Sequence, residues 1–96
     1  HHFRISSETK LIISRNKKES EKILELFNNK NKFILSSNIN EDIIGIIIGE
    51  FSEICLEIFA SYISKIPIQV IIARQGSIEK KIVKPKGKHL YKTYLI

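Results

Sequence analysis

Seven cations crowd the last quarter of the chain. Arg74, Lys80, Lys81, Lys84, Lys86, Lys88 and Lys92 stand against one acid, Glu79, a surplus of six. The 96-residue chain as a whole carries +6, so the nine basic and nine acidic residues elsewhere cancel. A genome-wide taste for lysine codons would spread the charge; clustering points instead to a polyanionic partner. The chemistry on offer is phosphate neutralisation. Each cation displaces condensed counterions from a nucleic acid, which gives salt-dependent and largely sequence-independent affinity. Arg15, Lys17 and Lys18 form a smaller cluster where a helix should begin, and free backbone N–H groups there also favour a phosphate. The bland alternative is a lysine-rich strand edge that resists aggregation. The imbalance is larger than edge protection requires, so binding is the preferred reading.

Covalent and metal chemistry find no such constellation. His89 lies in the basic stretch, where a solvated or phosphate-contacting role outweighs that of a general base. His1 and His2 read as the end of a purification tag and are set aside. Cys55 falls on an apolar face and reads as a small core residue, not a nucleophile. As the single cysteine, it permits no disulfide within the chain, and a reducing compartment is expected. Glu50, Glu53 and Glu57 read as a solvated helix face. No metal-ligand spacing or phosphate-cradling glycine loop is present. The expectation is a binding protein, not an enzyme, with no cofactor. The longest aliphatic run, Ile43 to Gly49, is too short to cross a bilayer, and no leader pattern is visible. A cytoplasmic or nuclear, chromosomal setting is expected.

The elements that would carry these residues can be read in chain order. "KLIISR" (10–15) reads as a buried strand. Asn16 caps a helix containing Ile23, Leu24, Leu26 and Phe27, with Glu19 placed as in a capping box and Asn28 and Asn29 at its end. "KFILSS" is a second strand. Asn40 then caps a long helix over 41–65, with Ile44, Ile47, Ile48, Phe51, Cys55, Ile58, Phe59 and Tyr62 on one stripe. Ile43, Ile46 and Ile54 fall outside that stripe, an apolar surplus that predicts a dimer contact, joined by Phe59 and Tyr62. Ile66, Ile68, Val70 and Ile72 alternate as a third strand after Pro67. "KPKGK" is the turn of a long final hairpin, with Lys84, Lys86 and Lys88 at its tip. The expected fold is therefore a single α/β domain (two-layer α+β) over 3–96. Its order is β-α-β-α-β-β: a mixed four-stranded sheet, two helices and a C-terminal β-hairpin arm.

This order, with "KLIISRN", "FILSSNINEDIIGIIIG" and "IPIQVIIARQGS…KPKGK…YKTYLI", resembles the Alba family of small basic chromatin and RNA-binding proteins. The resemblance implies a homodimer, or a pair with a related Alba-like subunit, that grips DNA or RNA with two hairpin arms and a basic body. It places Arg15 and Asn16 near the family's lysine pair, with Lys17 and Lys18 one or two positions later. Asn38, Ile39 and Asn40 replace the family's Arg-Gly-Arg loop, which moves the expected affinity onto the arms. Arg74, Lys80, Lys81, Lys84, Lys86 and Lys88 would then be the main contacts. A second reading, from a different class, is a protein-interaction subunit of a larger ribonucleoprotein complex.

Overall fold

The computed structural model describes residues 1–28 and 31–96, and of 88–90 the backbone alone. Among the described residues six strands form one antiparallel sheet: β1 (His2–Ser6), β2 (Thr9–Ile13), β3 (Lys32–Ser36), β4 (Gly45–Gly49), β5 (Ile68–Arg74) and β6 (Ser77–Val83). Their spatial order is β1-β2-β4-β3-β5-β6, with every pairing antiparallel. Helix α1 (Lys17–Leu26) lies on one face, and α2 (Glu53–Ile63) lies on the other. Two helices were expected and are present. The mixed four-stranded sheet was not found, and three local readings account for the difference.

The first concerns the expected long helix. Its N-terminal half is strand β4, and only its C-terminal half is α2. In Ile43–Ile48 every residue but Gly45 is isoleucine, so a helical stripe can be drawn through the run without being informative. β-Branched side chains favour the pleated backbone, and two glycines would each cost a helix about 1 kcal/mol. β4 is covered on both faces, which is why it lacks alternation. Ile47 points to the α2 core and Ile46 to the α1 side, both fully buried. A side chain at Gly45 would press on Phe59. Gly49, at φ +96°, lies so close to the Glu8 carbonyl that a β-carbon would collide with it. Asn40 does not cap a helix; its side chain accepts from the Asp42 N–H in the loop before β4.

The second concerns the apolar surplus that predicted a dimer face. Ile46 and Phe59 are fully buried within the single chain. Ile43, Ile54 and Tyr62 pack against the same core, Tyr62 edge-on to Phe3 at 5.6 Å. These five residues find their apolar contacts inside one copy. β1, absent from the sequence reading, supplies part of that cover. His2 stands in it opposite Ile12, and the His1 amino group donates to the Ile13 carbonyl at 2.9 Å.

The third concerns the hairpin arm. The hairpin is β5–β6, closed by the two-residue turn Gln75-Gly76 at φ +38° and +84°. That geometry matches the right-handed twist of the strands. "KPKGK" is instead a link from β6 to a 3₁₀ segment, Lys88–Tyr94, that packs on α2 and β1. Among the described residues no arm projects from it.

Asn16 caps α1 as expected, but Glu19 reaches past it, one residue beyond a capping box. Asn16 Oδ1 accepts from the Glu19 N–H at 2.8 Å. The Glu19 carboxylate reaches back to Arg15, taking its N–H at 3.1 Å and its guanidinium at 3.0 Å. Ser20, a poor helix former, is buried with its hydroxyl 2.6 Å from that of Ser14. Among the expected inward residues Ile23 is buried, but Leu24 and Leu26 are exposed. Asn29, read as part of the helix end, lies outside the described residues. No helix among the described residues is long and apolar enough to cross a membrane.

Candidate nucleic-acid interface

The strand register decides what each cation can reach. Along β5, Ile68, Val70 and Ile72 face α2, and their partners across the ladder are Val83, Lys81 and Glu79. Ile78, Lys80 and Ile82 therefore face the opposite way, on the side of the sheet that carries α1. Helix α1 covers only the β2–β4 half of that side, through Ile12, Ile23 and Ile46. Its β3–β5–β6 half stays open.

The basic stretch read from the sequence divides accordingly. Lys81 points to the α2 side and meets Glu53 at 2.7 Å, which holds its ammonium charged above the ordinary lysine range. Lys86 meets Glu57 at 3.0 Å, and its own N–H donates to the Ser61 hydroxyl at 3.2 Å. Tyr91 donates its hydroxyl to the same Glu57 carboxylate at 3.2 Å. The carboxylates read as a solvated face thus hold two of the predicted phosphate ligands. Lys80 and Lys84 are exposed. The side chains of Lys88 and His89 lie outside the described residues. Arg15 is tied to Glu19, whose carboxyl is held below the usual glutamate range, chiefly by the Arg15 hydrogen bond. Lys17 and Lys18 are exposed beside it, at the end of the sheet opposite to Arg74. Cys55 is fully buried, and burial pushes its thiol up to about 12, as suits a core residue.

Arg74 is the predicted cation with the most developed surroundings. It ends β5, exposed, with its guanidinium carbon 4.6 Å from the Phe33 ring centre. Its Nη2 donates to Asn31 Oδ1 at 3.2 Å. Two anchors fix the plane and leave the remaining donors outward. Phe51 packs edge-on against Phe33 at 5.3 Å, has the Lys81 ammonium 6.0 Å over its ring, and is partly exposed.

Two grooves meet at Arg74 and Asn31. The first, of about 520 Å³, opens on the uncovered side of the sheet. Its floor is Ile34, Ala73 and Ile78, and its rim carries Lys32, Arg74 and the amides of Asn28, Asn31 and Gln75. No carboxylate lines it among the described residues. The second, of about 590 Å³, runs past Phe33 and Phe51 and is lined also by Glu8 and Glu50. Both volumes fall within the roughly 300–1,000 Å³ typical of ligand clefts. Phosphate is favoured in the first, and the carboxylates disfavour it in the second. The partly exposed Phe51 ring borders that second groove.

The sequence reading found Arg74 and missed the rest of this site. Lys32, Asn31 and Phe33 were passed over because they sit in and before an ordinary strand. The signal that could have located the groove was "RQGS". A Gln-Gly pair between two alternating runs marks the hairpin turn and puts Arg74 beside β3.

Residues 1–66 match the family described as the NFACT protein RNA binding domain. No curated protein and no solved structure matches the chain. The match overturns the Alba resemblance, and the topology explains why it misled. The long helix and final hairpin that carried it are, in the folded chain, a strand followed by a short helix and a link pinned to α2. The matched span runs from β1 through α2 and takes in Lys32, Phe33 and Phe51, while Arg74 lies beyond it. With well over half of its 96 residues matched, the chain belongs to the NFACT RNA-binding domain family.

Proposed function

We propose that this domain binds single-stranded RNA, or unpaired loops of a folded RNA, in the groove between β3 and the β5–β6 turn. The observation that carries the reading is the lining of that groove, free of carboxylates among the described residues, with Lys32 and Arg74 over an apolar floor. Phosphates take the two cations. A base lies on Ile34, Ala73 and Ile78, and the amide heads of Asn28, Asn31 and Gln75 meet its hydrogen-bonding edge. Unpaired bases can be splayed onto such a surface, whereas those of a duplex stay stacked. Beyond Arg74 the partly exposed Phe51 ring offers a second contact for a base, and Glu8 and Glu50 keep the phosphate chain on the groove side. The preference for RNA rests on the family. On this reading the domain is a binding module that works inside the cell, where RNA is found.

Fluorescence anisotropy with labelled oligonucleotides tests it. Unpaired RNA is expected to bind about tenfold more tightly than a duplex of the same length, since each stacked base contributes about 1–3 kcal/mol. Equal or tighter binding of the duplex would overturn the groove as the site.

A further inference from the structure

β6 is an edge strand, and nothing among the described residues pairs with its outer side. A two-residue turn closes on a hydrogen-bonded pair, here Arg74 with Ser77, and such pairs alternate along the ladder. The N–H and C=O groups of Ile78, Lys80 and Ile82 therefore point away from β5. The side chains of Ile78 and Ile82 are 70% and 72% exposed on the open side of the sheet. Glu79 and Lys81 lie on the other side, 3.8 Å apart. About Lys80 this strand is symmetric in chemistry: isoleucine at 78 and 82, and opposite charges at 79 and 81.

We propose that β6 pairs antiparallel with β6 of a second copy of this chain, about a two-fold axis through Lys80. Ile78 then lies opposite Ile82 of the partner subunit, and Glu79 opposite Lys81 of the partner subunit, each contact occurring twice. The outward backbone groups of 78, 80 and 82 find their complements in the same register. Moving the axis to Glu79 or to Lys81 sets two like charges against each other at the close, non-hydrogen-bonded spacing. Moving it further loses the charge pairs and shortens the ladder. The only like pair in the favoured register is Lys80 with its own copy, at the wider spacing, where long side chains can diverge. A lysine there also blunts the edge, which makes the association reversible and dependent on what neutralises the pair. This inference goes beyond the RNA reading and needs no nucleic acid.

Cysteine trapping tests it on the whole chain, since Cys55 is buried and does not compete. Lys80→Cys places two thiols across the axis at a Cα separation of about 5.5 Å, within disulfide reach. It should form a linked dimer about tenfold faster than Ile78→Cys. The two copies of residue 78 stand about 13 Å apart in this register. By sedimentation, Glu79→Lys should weaken self-association about tenfold, adding Lys81→Glu should restore it, and Lys80→Thr should strengthen it. Equal trapping at 80 and 78 would overturn the proposal. So would a Lys80→Thr variant that stays monomeric at high micromolar protein. Pairing of this edge with a strand of some other protein would give that second result.

Discussion

Lys81 and Lys86 belong to the most basic stretch of the sequence, yet each faces a carboxylate of α2, at 2.7 and 3.0 Å. Arg74 and Lys32 are far apart in the sequence, yet both line one groove with no acid in its lining among the described residues, Arg74 also bordering the groove of Glu8 and Glu50. The difference teaches that a run of lysines is a count of charge and not yet a field. A phosphate is attracted by cations that nothing else has neutralised. The β3–β5 ladder sets Ile34 opposite Ala73 and so brings the end of β5 beside Lys32, with Arg74 lying over Phe33 on the α2 side of the sheet. Within the basic stretch, Lys81 and Lys86 are each paired with a carboxylate of α2.

Removing both groove cations is the strongest way to break this comparison. Arg74→Ala with Lys32→Ala should lower affinity for single-stranded RNA about 10- to 100-fold and reduce the salt slope by about 1.4, or 0.7 per phosphate. Anisotropy titrations at several salt concentrations read both quantities. An unchanged slope would return the interface to the basic stretch.

The matching change in the other region should do far less. Lys81→Ala with Lys86→Ala removes two cations already held by Glu53 and Glu57, so RNA affinity should stay within about threefold of the parent. The thermal midpoint should move little, because exposed ion pairs contribute weakly. A loss as large as that of the groove variant would show that these lysines leave their carboxylates for RNA.

The smallest effect concerns the third cluster, at the start of α1. The Arg15 hydrogen bond lowers the Glu19 carboxyl in the folded state. That contribution is present above the unfolded glutamate value and is lost as pH falls through the folded one. The carboxyl resonance of Glu19 should titrate below the ordinary glutamate range by NMR, and Arg15→Ala should move its midpoint back up. A midpoint indifferent to Arg15→Ala would mean that Arg15 is free for phosphate after all.

Local chemistry made several elements legible before the fold was known. Asn16 and Glu19 mark the start of α1 because a cap needs only neighbours along the chain. Alternation in "IPIQVIIAR" marks β5, although Ile66 falls outside it and is exposed. The buried role of Cys55 followed from its apolar surroundings. Net charge pointed to a polyanion without saying where it would lie.

What only the tertiary structure decided are matters of pairing. The apolar pattern of Ile43–Ile48 fits a helix as well as a buried strand; β-branching and glycine lean toward the strand, and neighbours on both sides fixed it: β2 and β3 along the sheet, α1 and α2 across it. Whether a given lysine is free depends on a carboxylate distant in the sequence, as with Lys81 and Glu53. The groove exists because antiparallel pairing sets the end of β5 beside β3, and because α1 is too short to cover the whole sheet. Periodicity is a property of one segment. Register, cover and charge neutralisation are properties of two or more, so they form only when distant segments meet.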